Sequence, residues 1–289
     1  MFLLIGLVIV FAMVFGGFIL AGGKMGIIIK ALPYELMMIF GGSLGALVSG
    51  NDGSTVGATL KGFMKVLKGP TWKSDDYRDL LCLLFLLVKT MKSKGVVAVE
   101  AHIENPDESK IFQQFPKVSG DHHVVDFICD YVRMMTMNFE DAGQMEDAMN
   151  ADLEKHHKEE HEPQHALQTM ADGLPAVGIV AAVLGIVKTM GSISEPVEVL
   201  GAMVGGALVG TFLGIFLGYL LVGPAANRLN QILTTDGHFM ELIKVVIVAH
   251  LNGNAPQISV ELGRRAIPSD MMPTFQEMEE AISELPPDI

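Results

Sequence analysis

The chain has 289 residues, 50% of them hydrophobic, and a mean hydropathy of +0.40. That balance excludes an ordinary soluble domain and points to an all-α, polytopic integral membrane protein. A formal charge of -13 argues against nucleic acid as a partner, and the acidic clusters of the polar part suit a basic or mixed protein surface.

The first apolar run, Met1 to Gly23, carries no charged side chain. Without a basic leading segment or an Ala-x-Ala cleavage site, it reads as a retained transmembrane helix over residues 1–23. Leu36 to Gly50 is the shortest apolar run; borrowing Ala31 to Glu35, with Tyr34 as interfacial anchor, it makes a second span over 31–50. Residues 51–171 then form a large cytoplasmic helical domain. Thr55 to Leu67 opens it, with Val56, Leu60, Phe63 and Leu67 on one face of an amphipathic helix leaving the membrane. Ser74, Asp75 and Asp76 start a helix whose apolar run, Leu80 to Val88, is too short to span a bilayer and reads as buried in a bundle. Lys89, Lys92 and Lys94 before Gly95 suit that helix's C-terminus. Asn105-Pro106 breaks a short helix carrying Glu100 and His102. Asp121 caps a helix with a core stripe of Val125, Ile128, Val132 and Met135, and the charged stretch from Phe139 to Glu162 reads as a solvent-facing helix returning to the membrane. Cys82 and Cys129 lie in apolar patterns with no CxxC pair, so free buried thiols and no disulfide are expected.

Leu174 to Val187 is uncharged and is entered through Asp172, Gly173 and Pro175, giving a third span over 172–191. From Val199 to Asn227 no residue is charged, which exceeds the ~20 residues a helix needs to cross a bilayer and gives a fourth span over 199–223. Gly206, Gly210, Gly214 and Gly218 recur every four residues and form a groove down one face of that helix. Such a groove suits close packing of neighbouring helices, or a seat for a partner helix or for copies of this chain. Residues 224–289 continue as a cytoplasmic helix to Leu251, then as a tail with Pro268, Pro273 and Pro286. Of the 20 Lys and Arg residues, 13 lie between Asn51 and Asp172 and 4 in the tail, so both termini and the large loop are assigned to the cytoplasm. No Asp, Glu, His or Arg falls in the middle of these spans, Glu35 and Asp172 being read at their ends. An ion path would then need a carboxylate from a partner helix.

His161-Glu162-Pro163-Gln164-His165 matches HExxH, the zincin pattern that sets two imidazoles on one helical face. Pro163 between the ligands costs ~3 kcal/mol in a helix, so a solvated, pH-sensitive connector is expected, with no metal and no catalytic residue.

Several stretches together carry a family resemblance: Phe15-Gly16-Gly17, Ile103-Glu104-Asn105-Pro106, Asp126-Phe127-Ile128 with Asp130-Tyr131, Asp172 to Gly185, Val209 to Ile215, and Leu251-Asn252-Gly253 with Ala255-Pro256. On these the chain resembles the stator proteins of the MotA/TolQ/ExbB proton-channel superfamily, nearly end to end. The resemblance implies an inner-membrane protein without enzymatic activity or cofactor, transporting H+. It implies a homopentamer around two single-span, MotB-like partner helices whose aspartate takes and releases the ion, with the cytoplasmic domain pushing a FliG-like rotor switch protein. It places the family's two mechanistic prolines at Pro175 and Pro224, a pore-facing threonine at Thr211, and groups Asp172 with the channel residues. Ala182 stands where sodium-type stators hold threonine, which favours protons. Lys92 and Glu100 match the rotor-contacting basic and acidic residues, lysine replacing the more common arginine and losing its bidentate fork. Two alternatives stand beside this reading. One is an ExbB/TolQ-like energiser of an outer-membrane system, whose relatives have three spans and a shorter loop; the other is a membrane metalloprotease on His161 and His165.

Overall fold

The computed structural model describes residues 2–286, and among them the regular structure is helical without a strand. Residue 1 of the expected first span and residues 287–289 of the tail lie outside the described residues. In chain order the helices are α1 (Phe2–Leu20), α2 (Met25–Gly50), α3 (Gly53–Lys68), α4 (Ser74–Lys94), α5 (Glu100–Glu104), α6 (Pro116–Ser119), α7 (His122–Thr136) and α8 (Ala142–Met190). They continue with α9 (Val197–Ile215), a π-helical segment (Phe216–Val222), α10 (Gly223–Leu251), α11 (Pro256–Ala266) and α12 (Phe275–Ser283). The chain divides into two compact units, one of residues up to Gly69 with Glu160–Ile232, the other of Pro70–Glu159 with residues from Leu233 on.

The first unit holds the apolar helices. Among the described residues four helical stretches are long and apolar enough to cross a membrane: Leu3–Leu20, Met25–Gly50, Ala142–Met190 and Val197–Leu251. Their apolar parts expose large hydrophobic side chains, Val8, Met13, Met37, Val180 and Leu208 among them, as lipid requires. The second of these helices begins earlier than the 31–50 span. Lys30 and Pro33 do not interrupt it, and it starts after Lys24 at Met25, so Glu35 lies inside the helix. α3 is the amphipathic helix that the periodicity predicts, and its apolar stripe lies on the outside. It buries Thr59, Gly62 and Val66, while Leu60, Phe63 and Leu67 stay exposed. Gly62 is what turns the helix: a Cβ there would sit 2.8 Å from Leu229 Cδ2, so the small face packs inward and the apolar stripe is left outside.

The second unit has a conventional core. Leu80, Leu81, Leu83, Leu84 and Leu87 of α4 are all buried, and Ile103, Phe112, Ile128, Phe239 and Ile243 join the same cluster. Burial on every side explains why α4 is apolar all round over Leu80–Val88 yet is no span. Trp72 stacks on Phe239 with ring centroids 3.9 Å apart, and Tyr77 meets the same ring edge-on at 5.1 Å. Asp236 accepts from both the backbone N–H and the hydroxyl of Thr71, each at 2.9 Å. The start of α4 is capped by Asp76, which accepts from the Lys73 N–H at 2.8 Å and pairs with Lys117; Ser74 is the first helical residue. Asp121 caps α7 by accepting from His123 N and Val124 N. Gly95, at φ +87°, ends α4 in a conformation that side chains other than glycine rarely adopt.

Two features of α8 correct the sequence reading. The stretch after Phe139 is only partly solvent-facing, since Met145 and Met149 are fully buried in the core. Pro163 does not interrupt the helix, which runs from Ala142 to Met190 through both Pro163 and Pro175.

Candidate functional site

The site is built where the membrane part of α8 meets α9 and the π segment. From Gly210 to Gly218 the glycine groove is occupied by α8 of the same chain, so that part is not an open seat for a partner helix. A Cβ on Gly214 would lie 2.7 Å from Leu174 O and 2.8 Å from Gly178 Cα, and one on Gly178 would lie 2.8 Å from Gly210 O. Gly185 closes on Ala207 in the same way, with a Cβ-to-Cβ distance of 2.6 Å. Backbones this close pack by dispersion and admit nothing larger than hydrogen at these positions. Gly206 differs, because its nearest neighbour, Ala31 Cβ, would be 3.9 Å away.

Pro175 supplies the second element. Proline has no N–H for the carbonyl four residues back, which here belongs to Ala171. That carbonyl faces Gly218: a Cβ there would be 2.7 Å from Ala171 O and 3.1 Å from Pro175 Cδ. Gly218 itself lies in the π-helical turn Phe216–Val222, directly before Gly223 and Pro224. A π turn absorbs the register change that a proline forces on a helix, so the chain continues through Pro224 to Leu251 without a break. Each proline therefore sits within a continuous helix with a locally loosened hydrogen-bond ladder, and neither marks a helix end.

The third element is Glu35, which sequence reading set at a span end. It is 5% exposed, on the same face of α2 as Ile39, Ser43 and Leu47. Its Oε2 has no hydrogen-bond partner among the described residues. A Cβ on Gly210 would sit 2.5 Å from that oxygen, 3.2 Å from Ala182 N and 3.3 Å from Ala181 Cβ. The missing side chain of Gly210 thus makes the notch that holds the carboxyl beside Ala182, one residue before Thr211. The sequence signal that could have found it is the Ile27–Ile29 run, which with Met25 carries the helix past Lys30 and Pro33 and leaves Glu35 in its interior.

Packing of the first helix is aromatic. Phe15 contacts Phe212 and Phe216 at 5.9 and 5.4 Å between centroids, and Phe11 meets Phe216 edge-on at 5.3 Å. Thr211, Pro175 and Pro224 are half-buried, Ala182 is buried, and Asp172 is exposed and accepts from Gln168 at 3.0 Å. Lys92 and Glu100 belong to the other unit and both are exposed. The Lys92 ammonium donates to Gly253 O at 3.3 Å, tying the end of α4 to the turn after α10. Among the described residues no group of three metal-ligating side chains forms. His161 is buried at 5% exposure while His165 is exposed, so the stretch expected to be a solvated connector faces solvent only in part.

Three comparisons bear on this arrangement. The model of the motility protein A N-terminal region matches residues 4–95, and that of the MotA/TolQ/ExbB proton channel family matches residues 122–241. The chain is 38% identical to motility protein A of Escherichia coli (strain K12), over 98% of this chain and 95% of that one. It is 34% identical to the chemotaxis protein LafT of Vibrio parahaemolyticus over 97% of this chain and 98% of that one. Among solved structures, C. jejuni MotAB superposes with a TM-score of 0.73 at 18% identity, covering 94% of this chain and 98% of that one. The flagellar MotAB stator complex of Bacillus subtilis gives 0.65 at 21% identity, covering 89% and 92%.

Proposed function

The chain belongs to the MotA/TolQ/ExbB proton channel family, and from that premise we propose that it is a stator subunit of a bacterial flagellar motor, turning proton-motive force into torque. It works with a single-span, MotB-like partner whose membrane aspartate takes and releases the proton, and it performs no covalent chemistry itself. The observation that carries this reading is the meeting of Pro175 with Gly218 in the π turn ahead of Pro224. Two membrane helices that stay continuous while each carries a weakened turn can change shape when a neighbouring charge changes, without unfolding.

The four apolar helices span the inner membrane, with both termini and the polar domain in the cytoplasm. Five copies surround two partner helices. α8 and α9 face the partner, and since Leu174–Val187 and Val199–Ile215 hold no titratable side chain, the ion-carrying carboxylate there is the partner's. Thr211 and Asp172 border the ion path, and Ala182, lacking the hydroxyl that would ligate a dehydrated Na+, favours protons. Lys92 and Glu100 meet a FliG-like rotor protein.

Co-expression with and without the partner in a stator-deleted host tests this reading. Swimming and proton uptake are expected only with both chains and are lost when the partner's aspartate becomes asparagine. Uptake without motility would overturn the motor assignment in favour of an energiser of another envelope system.

A further inference from the structure

We propose that Glu35 is a second proton-holding site, contributed by this chain itself: its carboxyl, lodged in the notch that Gly210 leaves, binds and releases a proton during transport. The inference rests on the proton-channel reading and extends it. Nothing in the packing requires a carboxyl there. Leu or Met would fill the same volume without leaving an oxygen unpartnered, and burying a lone carboxylate in an apolar seam is costly unless a proton or a counter-charge neutralises it.

Among the described residues no counter-charge meets the carboxyl. The facing stretches Leu174–Val187 of α8 and Val199–Ile215 of α9 hold no titratable side chain, and neither does α1. On α2 itself the neighbours Lys30 and Tyr34 are exposed and turned to other faces. Neutralisation therefore falls to a proton. The place also fits, because the oxygen faces Gly210 of α9 at the point where Ala181 and Ala182 of α8 close on the same glycine. Two turns further along the same face of α2, the buried hydroxyl of Ser43 also has no partner among the described residues. Ser43 lines a polar cleft with Asp52, Thr55, Glu162, His165 and Thr169. Glu35 and Ser43 are eight residues apart, ~12 Å along a helix, so a proton leaving the carboxyl reaches this cleft through water rather than by one direct transfer. The titratable groups at the cleft are Asp52, Glu162 and His165, and they meet solvent there.

The test uses the complex of this chain with its partner, purified and reconstituted in liposomes, with proton uptake followed across pH and infrared spectra recorded in parallel. E35Q keeps the shape and removes the proton site. Uptake is expected to fall severalfold, its pH profile to change, and a protonated-carboxyl band to disappear, with E35D restoring part of each. An assembled E35Q complex whose uptake, pH profile and infrared bands equal those of wild type overturns the inference and leaves the channel reading intact. A wild-type complex that takes up no protons overturns both. Should E35Q fail to assemble, E35D decides: a pH-responsive carboxyl band that moves on shortening the side chain supports the site, and no movement overturns it.

Discussion

Gly218 lies against the main-chain carbonyl that Pro175 leaves without a donor, within 3.1 Å of the proline ring measured from the position a Cβ would take. G218A would push that Cβ to 2.7 Å from Ala171 O, a backbone atom that cannot swing aside. The cost is expected to be about 1–3 kcal/mol, with lost motility. G206A, with 3.9 Å to its nearest neighbour, should be nearly neutral. Thermal unfolding of the purified complex and swim diameter check the pair; equal effects from both substitutions would contradict the packing described.

P175A restores an N–H to the interior of α8. Proline inside a helix costs ~3 kcal/mol, so the variant should be at least as stable as wild type while proton uptake and torque fall. Loss of stability together with loss of uptake would show that the proline serves packing alone.

Lys92 separates two roles in the same way. Its bond to Gly253 O is 3.3 Å long and exposed, and such a bond contributes ~1 kcal/mol or less. K92A should leave the unfolding midpoint almost unchanged. K92E should stop rotation while the complex still assembles, and K92R should rotate. A K92E chain that still drives swimming removes Lys92 from the rotor contact.

Stability of the polar unit should fall on mild acidification. Burial, reinforced by the charge of Lys92, holds the His250 imidazole below its ordinary range; burial, with Lys94 and Lys110 beside it, does the same for His102. A depressed histidine binds fewer protons folded than unfolded. Its contribution is therefore present above the ordinary value of about 6.5 and is lost as pH falls from there through the folded value. Unfolding midpoints of wild type and H250N across that window check it, the variant being expected to show the shallower dependence.

Burial pushes the thiols of Cys82 and Cys129 up to about 12, so neither is a thiolate at neutral pH. Maleimide should label them only as the unit unfolds. Labelling of the native complex at the rate of an exposed thiol would contradict their burial.

Local chemistry made part of this legible in advance. The Asp121 cap needs only a side chain two and three residues from the N–H groups it accepts. The burial of Leu80 to Val88 follows from a run too apolar for solvent and too short for a bilayer. The four-residue spacing of Gly206 to Gly218 was equally visible, but what fills the groove was not. A small-residue face specifies close approach and says nothing of which backbone approaches.

What the sequence by itself determined is the helical class, the apolarity of the long helices and the positions of the prolines within them, because these depend on composition within one segment. Tertiary structure alone decided that α8 occupies the glycine groove, that Gly62 turns the apolar stripe of α3 outward, that proline-bearing helices continue unbroken, and that Glu35 is buried in the notch of Gly210. Each of these is settled by contact between residues distant in sequence, where the fit of one backbone against another outweighs the local preference of either.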